Sequence, residues 1–166
     1  NPHGLDFDEW AGDMHSTAHD VALMMQEAMK NDTIREVVSS EDSRIEVTGA
    51  DGSDHSHSMD THNVLLGQDG NIGGKTGTTD DAGCCVCAVA ERDGMTLIAV
   101  ILGAPDSDTR FESAKSLLDY GFASYALAPA PEVEDQLSPV PVRHGTEPTV
   151  TPVPDAPEGI LVEKAR

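Results

Sequence analysis

Between Thr17 and Lys30 the apolar residues Val21, Met24, Met25, Ala28 and Met29 return at the spacing of one helix face. Thr17, with Asp20 three residues on, supplies a capping-box start. The pattern predicts a helix over Thr17–Lys30 whose methionines are adaptable core filler. A short second helix over Asp32–Val38 and a short strand over Ile45–Thr48 follow. Further along, the pattern changes from periodic to continuous. Val86–Arg92 and Met95–Leu102 are apolar runs separated by Asp93-Gly94, a strong two-residue hairpin signal. Helical spacing then returns over Thr109–Tyr120, where Phe111, Ala114, Leu117 and Leu118 form the buried stripe. Thr109 and Glu112 offer a second capping box, and Gly121 a C-terminal stop.

The polar stretches punctuate this frame. Gly49–Asp60 reads as a Ser/Asp/Gly-rich loop carrying His55 and His57, with His62 just beyond. Nothing rigid nearby completes a metal site, so these histidines are expected to be solvated. From about Ala126 prolines at 129, 131, 139, 141, 148, 152, 154 and 157 separate short apolar pieces such as Val140, Val142 and Ile160-Leu161-Val162. This composition predicts a Pro-rich linker and part of a small β domain with edge-type strands. The chain thus divides into residues 1–125 and 126–166.

A length of 166 residues holds one good core and at most a small second module. The net charge of −20 makes nucleic acid and anionic lipid poor partners. Cys84, Cys85 and Cys87 share one apolar run and read as small buried thiols in a strand, without the matching pairs a metal site needs. No metal or other cofactor is expected. No stretch approaches the roughly 20 apolar residues of a membrane helix. The opening Asn1-Pro2-His3-Gly4-Leu5-Asp6 reads as a mid-protein loop, so the chain is expected to be a piece of something longer.

Candidate chemistry concentrates in Gly73-Gly74-Lys75-Thr76-Gly77-Thr78-Thr79-Asp80-Asp81-Ala82-Gly83. A lysine and threonine among glycines, followed by a turn and an apolar run, suit the edge strand of a sheet lining a cleft. The missing side chains at Gly74 and Gly77 let a substrate backbone come close. The rival is a phosphate loop, since Asp69–Thr76 comes within one residue of Gly-x-x-x-x-Gly-Lys-Thr. A phosphate loop must open a helix, whereas turn residues and two carboxylates follow here. The strand reading is preferred.

With these pieces in order, the chain resembles the serine-type D-alanyl-D-alanine carboxypeptidases, the low-molecular-mass penicillin-binding proteins. The matching segments are Asn1-Pro2-His3-Gly4-Leu5, Ser16-Thr17-Ala18 with Asp20, the Lys-Thr-Gly stretch through Ala82-Gly83, Leu97–Gly103, and Leu117-Leu118-Asp119-Tyr120-Gly121-Phe122. The Lys-Thr-Gly triplet itself recurs in penicillin-binding proteins and class A β-lactamases. The resemblance implies an α/β fold of the β-lactamase/transpeptidase type: an antiparallel sheet with packed helices, N-terminally truncated, followed by a partial small β domain. It implies a carboxypeptidase that removes the terminal D-alanine from peptidoglycan stem peptides through an acyl-enzyme, with β-lactams as covalent inhibitors. An extracytoplasmic location, secreted or on the outer face of the bacterial cytoplasmic membrane, is implied too.

Carried over residue by residue, Lys75 becomes the catalytic-site cation. Lys75, Thr76 and Gly77 become the edge on which the substrate pairs as an added strand. Thr78 offers a backbone amide to the oxyanion, and Arg110 stands near the substrate's terminal carboxylate. An arginine in the first turn of a helix opposes the dipole, so something else must hold Arg110 there. The family's Ser-x-x-Lys and Ser-x-Asn are missing. The lysines at 30, 75, 115 and 164 follow Glu27, Ile72, Glu112 and Leu161 at that spacing, and no serine stands two before Asn31, Asn63 or Asn71. In the family both motifs precede Asn-Pro-His-Gly-Leu, so they are expected upstream and this chain is expected to be inactive alone. The alternatives are a non-catalytic peptidoglycan-binding or regulatory protein, or a D,D-endopeptidase or β-lactamase of the same fold.

Overall fold

The computed structural model describes residues 15–129, 137–152 and 159–165. Asn1-Pro2-His3-Gly4-Leu5 lies outside the described residues. The elements run α1 (Ala18–Ala28), α2 (Asp32–Val38), β1 (Asp42–Thr48), β2 (Asp54–Asp60), β3 (Asn71–Thr79), β4 (Gly83–Arg92), β5 (Met95–Ala104), α3 (Ser107–Ser124), β6 (Tyr125–Pro129), β7 (Val140–Pro141), β8 (Thr149–Val150) and β9 (Gly159–Glu163). They divide into two compact units, Asn1–Ala123 and Ser124–Arg166.

The first unit is organised by an antiparallel sheet in the order β3-β4-β5. Central β4 is buried on both faces, which is why its sequence is a continuous apolar run rather than an alternation. Val86, Ala88 and Ala90 pack with Phe111, Ala114, Leu118 and Phe122 of α3. Cys87 and Val89 face the other way, towards Met25, Val21 and Met29 of α1. The sheet is therefore sandwiched between the two helices. Val86 and Val89 are the largest fully buried side chains, each contributing roughly 1.5–3 kcal/mol. Asp93 (φ 51°) and Gly94 (φ 75°) both adopt positive φ, the type I′ geometry that Asp-Gly favours between β4 and β5.

Several local expectations change. Gly49–Asp60 is not a loop throughout: Asp54–Asp60 pairs with β1 as a hairpin. Its polarity hid the strand, because β2 is exposed along its whole length and has no apolar face to reveal it. The turn closes through Gly49 N–H to the Ser53 carbonyl (2.7 Å), while Ser53 donates to Asp51 and holds that carboxyl below its ordinary range. His55 and His57 lie on this exposed strand. Met24 leaves the α1 stripe at 60% exposure, as does Leu117 in α3 at 47%. Each helix meets the sheet along a narrower strip than its apolar pattern covers.

Helix α1 keeps its Thr17 cap, whose Oγ1 accepts from Asp20 N–H at 3.1 Å. Helix α3 starts earlier than Thr109. Asp106 caps it by accepting from Thr109 N–H at 2.7 Å, and that bond lowers the Asp106 carboxyl below its ordinary value. Gly121 does not stop the helix. It lies inside α3, where a Cβ would stand 2.6 Å from Leu97 Cδ1, so it serves close packing. Of the three cysteines only Cys87 is buried; Cys84 and Cys85 are partly exposed, nearer the end of β4.

In the second unit β6 pairs antiparallel with β9, and β7 with β8. Lys164 N–H donates to the Ser124 carbonyl at 2.8 Å, extending the β6–β9 pairing. No helix among the described residues is long and apolar enough to cross a membrane.

Candidate active site

Strand β3 forms the edge of its three-stranded sheet, leaving one side without a strand partner among the described residues. Lys75 sits in mid-strand opposite Cys87, not at a helix start, which removes the phosphate-loop geometry. The glycines around it have different reasons. A Cβ on Gly74 would stand 2.3 Å from the Cys87 carbonyl oxygen, and one on Gly73 would stand 2.7 Å from the Val38 carbonyl oxygen. Both have positive φ, 152° and 145°. Gly77 has nothing within 4 Å of where its Cβ would be. The fold does not require glycine there; its effect is to leave the strand surface open.

Cross-strand partners share a face in an antiparallel sheet, so Lys75 lies with Cys87 on the α1 side. Thr76 and Thr78 lie with Val86 and Cys84 on the α3 side. Lys75 is exposed, and its Nζ donates to the Thr76 carbonyl. Thr78 Oγ1 donates to Cys84 Sγ at 3.7 Å and accepts from Arg110.

Arg110 is the buried charge of the site, at 7% exposure. Its Nη1 donates to the Gly77 carbonyl (3.2 Å), Thr78 Oγ1 (3.1 Å) and the Cys85 carbonyl (3.3 Å). Its Nη2 donates to Ser107 Oγ at 3.1 Å, and the guanidinium lies 4.7 Å from the Phe111 ring centroid. These bonds hold the cation in the first turn of α3 against the helix dipole. All four oxygens are uncharged, and Nε has no partner. The site thus presents a pre-positioned cation whose charge its hydrogen-bond partners do not neutralise, a setting that attracts an anion.

The structure brings Gly77, Thr78 and Arg110 into direct contact, with Thr76 adjacent on the same strand. No hydrogen bond joins Lys75 to Arg110, and their side chains approach β3 from opposite faces. Sequence reasoning missed Ser107, which a helix start two residues earlier would have placed beside Arg110. It also missed Asn63 and Asn71, a buried amide pair joined at 3.1 Å that anchors the head of β3. The signal was available in two asparagines flanking Val64-Leu65-Leu66 and the Gly/Asp turn. Among the described residues no group of three or more His, Cys, Asp or Glu could hold a metal ion.

Comparison with known proteins bears on the family and the fold. The D-alanyl-D-alanine carboxypeptidase family, peptidase family S11, matches residues 1–106. D-alanyl-D-alanine carboxypeptidase DacF of Bacillus subtilis is 26% identical over 151 residues, covering 90% of this chain and 38% of that protein. A D-alanyl-D-alanine carboxypeptidase of Streptomyces sp. strain K15 is 31% identical over 129 residues, covering 73% of this chain and 44% of that protein. The crystal structure of the Streptomyces K15 DD-transpeptidase superposes with a TM-score of 0.63 at 33% identity, covering 65% of this chain and 42% of that one. The chain therefore spans less than half the length of these relatives. An antiparallel sheet between helices, a Lys-Thr-Gly edge strand and the family match over most of the first unit lead to one conclusion: the chain belongs to the D-alanyl-D-alanine carboxypeptidase family and has its β-lactamase/transpeptidase-like fold.

Proposed function

We propose that this chain is the substrate-binding side of a serine-type D-Ala-D-Ala carboxypeptidase. The peptidoglycan stem peptide pairs along the open edge of β3, over Thr76 and Gly77, as an added strand. Arg110 supplies positive charge to the terminal carboxylate, using the N–H groups that its four neutral partners leave over. Thr78 N–H donates to the oxyanion, a contact of the kind that stabilises a transition state by about 2.7–4 kcal/mol. Lys75 adds a cation to the catalytic hydrogen-bond network. A serine oxygen attacks the penultimate carbonyl, the C–N bond to the last D-alanine breaks, and the amine leaves with a proton. Water then hydrolyses the ester and frees the serine. β-Lactams acylate the same serine, and the enzyme works on the outer side of the cytoplasmic membrane.

The observation that carries this reading is the open Gly77 face beside a buried arginine whose partners are all uncharged. The serine and its activating lysine come from outside these 166 residues, since no Ser-x-x-Lys occurs among them. The chain alone should therefore give no penicilloyl adduct by mass spectrometry, and a stoichiometric adduct would overturn the assignment. In the complete enzyme, Arg110→Ala should impair peptides with a free terminal carboxylate more than amidated analogues. The expected difference is about 1.5–3 kcal/mol, roughly 10- to 150-fold in kcat/KM. Equal losses on both substrates would make Arg110 structural only.

A further inference from the structure

Ser107 opens α3, yet it does not do what a serine at a helix start usually does. Asp106 caps the helix instead, accepting from Thr109 N–H at 2.7 Å. The Ser107 oxygen serves Arg110, accepting from Nη2 at 3.1 Å, and the hydroxyl donates to no group among the described residues. Ser107 is exposed whereas Arg110 is only 7% exposed, so the hydroxyl is the accessible member of the pair.

The guanidinium has two unlike sides. On the strand side Nη1 shares its two hydrogens among three acceptors, the Gly77 carbonyl, Thr78 Oγ1 and the Cys85 carbonyl, and is fully used. On the α3 side Nη2 gives one hydrogen to Ser107 and keeps the other. We propose that Ser107 is a specificity-determining residue: its hydroxyl and the second Nη2 hydrogen together receive the two oxygens of the substrate's terminal carboxylate. This rests on the carboxypeptidase reading above and adds a second donor to it. The two donor atoms lie 3.1 Å apart, a spacing that the paired oxygens of a carboxylate can bridge. Accepting from a cation also polarises the hydroxyl, which strengthens it as a donor. Asp106 and Asp108 flank the serine, and their carboxylates oppose loosely held anions. Only a carboxylate delivered in register, by a peptide paired along β3, meets both donors.

Kinetics of the complete enzyme on matched peptides with free and amidated C-termini test this. Ser107→Ala should lower kcat/KM on the free-acid peptide by about tenfold or more, and on the amidated peptide by no more than about twofold. Ser107→Thr keeps the hydroxyl and should restore the free-acid rate. A packing role alone would not separate the two peptides. Arg110→Ala is the reference variant. If it separates the peptides and Ser107→Ala does not, Arg110 binds the carboxylate alone; the inference falls and the carboxypeptidase reading stands. If Arg110→Ala lowers both peptides equally, the carboxylate seat itself is refuted and this inference falls with it. A Ser107→Thr enzyme as impaired as Ser107→Ala would also overturn the proposal, since the hydroxyl would then not be the active group.

Discussion

Alanine at Gly74 and alanine at Gly77, three residues apart on one strand, should have opposite consequences. At Gly74 the added Cβ would meet the Cys87 carbonyl oxygen at 2.3 Å and Ala88 Cα at 3.1 Å, both backbone atoms that cannot swing aside. The backbone there also holds φ at +152°, a region that side-chain-bearing residues occupy at about 1–3 kcal/mol. Overpacking against the central strand adds about 1–3 kcal/mol. The sum, roughly 2–6 kcal/mol, is a large part of the ~5–15 kcal/mol that holds a domain together. In a thermal melt this lowers Tm by roughly 4–24 °C, at about 2–4 °C per kcal/mol for a chain of this size. Gly77→Ala meets nothing within 4 Å and should stay within about 0.5 kcal/mol of the parent. Urea midpoints, compared at unchanged m-value, check the same ranking independently. If the two variants melt together, the account of why each glycine is there is wrong. If Gly77→Ala melts like the parent but weakens peptide binding in the complete enzyme, the open face belongs to the ligand.

The remaining predictions concern charge and thiols. Burial pushes the Cys87 thiol up to about 11, so alkylation of the native chain should modify Cys84 and Cys85 first and Cys87 only on unfolding; three equally fast thiols would refute this. The Arg92 hydrogen bond holds the Asp119 carboxyl below its ordinary 3.8, with Lys115 assisting. A depressed carboxyl contributes stability above its unfolded value that is lost as pH falls through the folded one, so Tm should decline below about pH 4. Asp119→Asn should flatten that acid limb, and an unchanged acid limb in this variant would refute the assignment. Arg110→Lys keeps the charge but cannot reach three strand oxygens and Ser107 at once. It should lower stability by about 1–3 kcal/mol in urea unfolding, and an unaltered midpoint would contradict the clamp.

What was legible in the sequence follows from how locally each feature is encoded. The β4–β5 hairpin needed only two apolar runs and Asp93-Gly94, and α2 matched its expected bounds Asp32–Val38. Thr17 capped α1 because a cap depends on residues three apart. The misreadings arose where distant packing decides. β2 has no buried face, so its seven residues carry no alternation to distinguish strand from loop. Gly121 looked like a stop, but it lies inside the helix, packed close to the end of the Leu97 side chain more than twenty residues away. Leu117 fitted the helical stripe of α3, yet it stands 47% exposed.

The site divides along the same line. Lys75, Thr76, Gly77 and Thr78 are contiguous, so their shared strand could be read from glycines and a following turn. Arg110 is different, because its usefulness depends on where a cation can be held without a neutralising partner. In a chain of net charge −20, an arginine would ordinarily find a carboxylate. Arg35, Arg44 and Arg92 all do, pairing with Glu91, Glu46 and Asp119. Arg110 instead donates to two backbone carbonyls and two hydroxyls at the end of the Lys-Thr-Gly strand, inside the fold and facing helix polarity of the wrong sign. Burying a cation in that way is unfavourable for the isolated fold. The arrangement is accounted for if an anion arrives: a carboxylate lying along β3 would meet the unneutralised charge that the strand carbonyls hold in place.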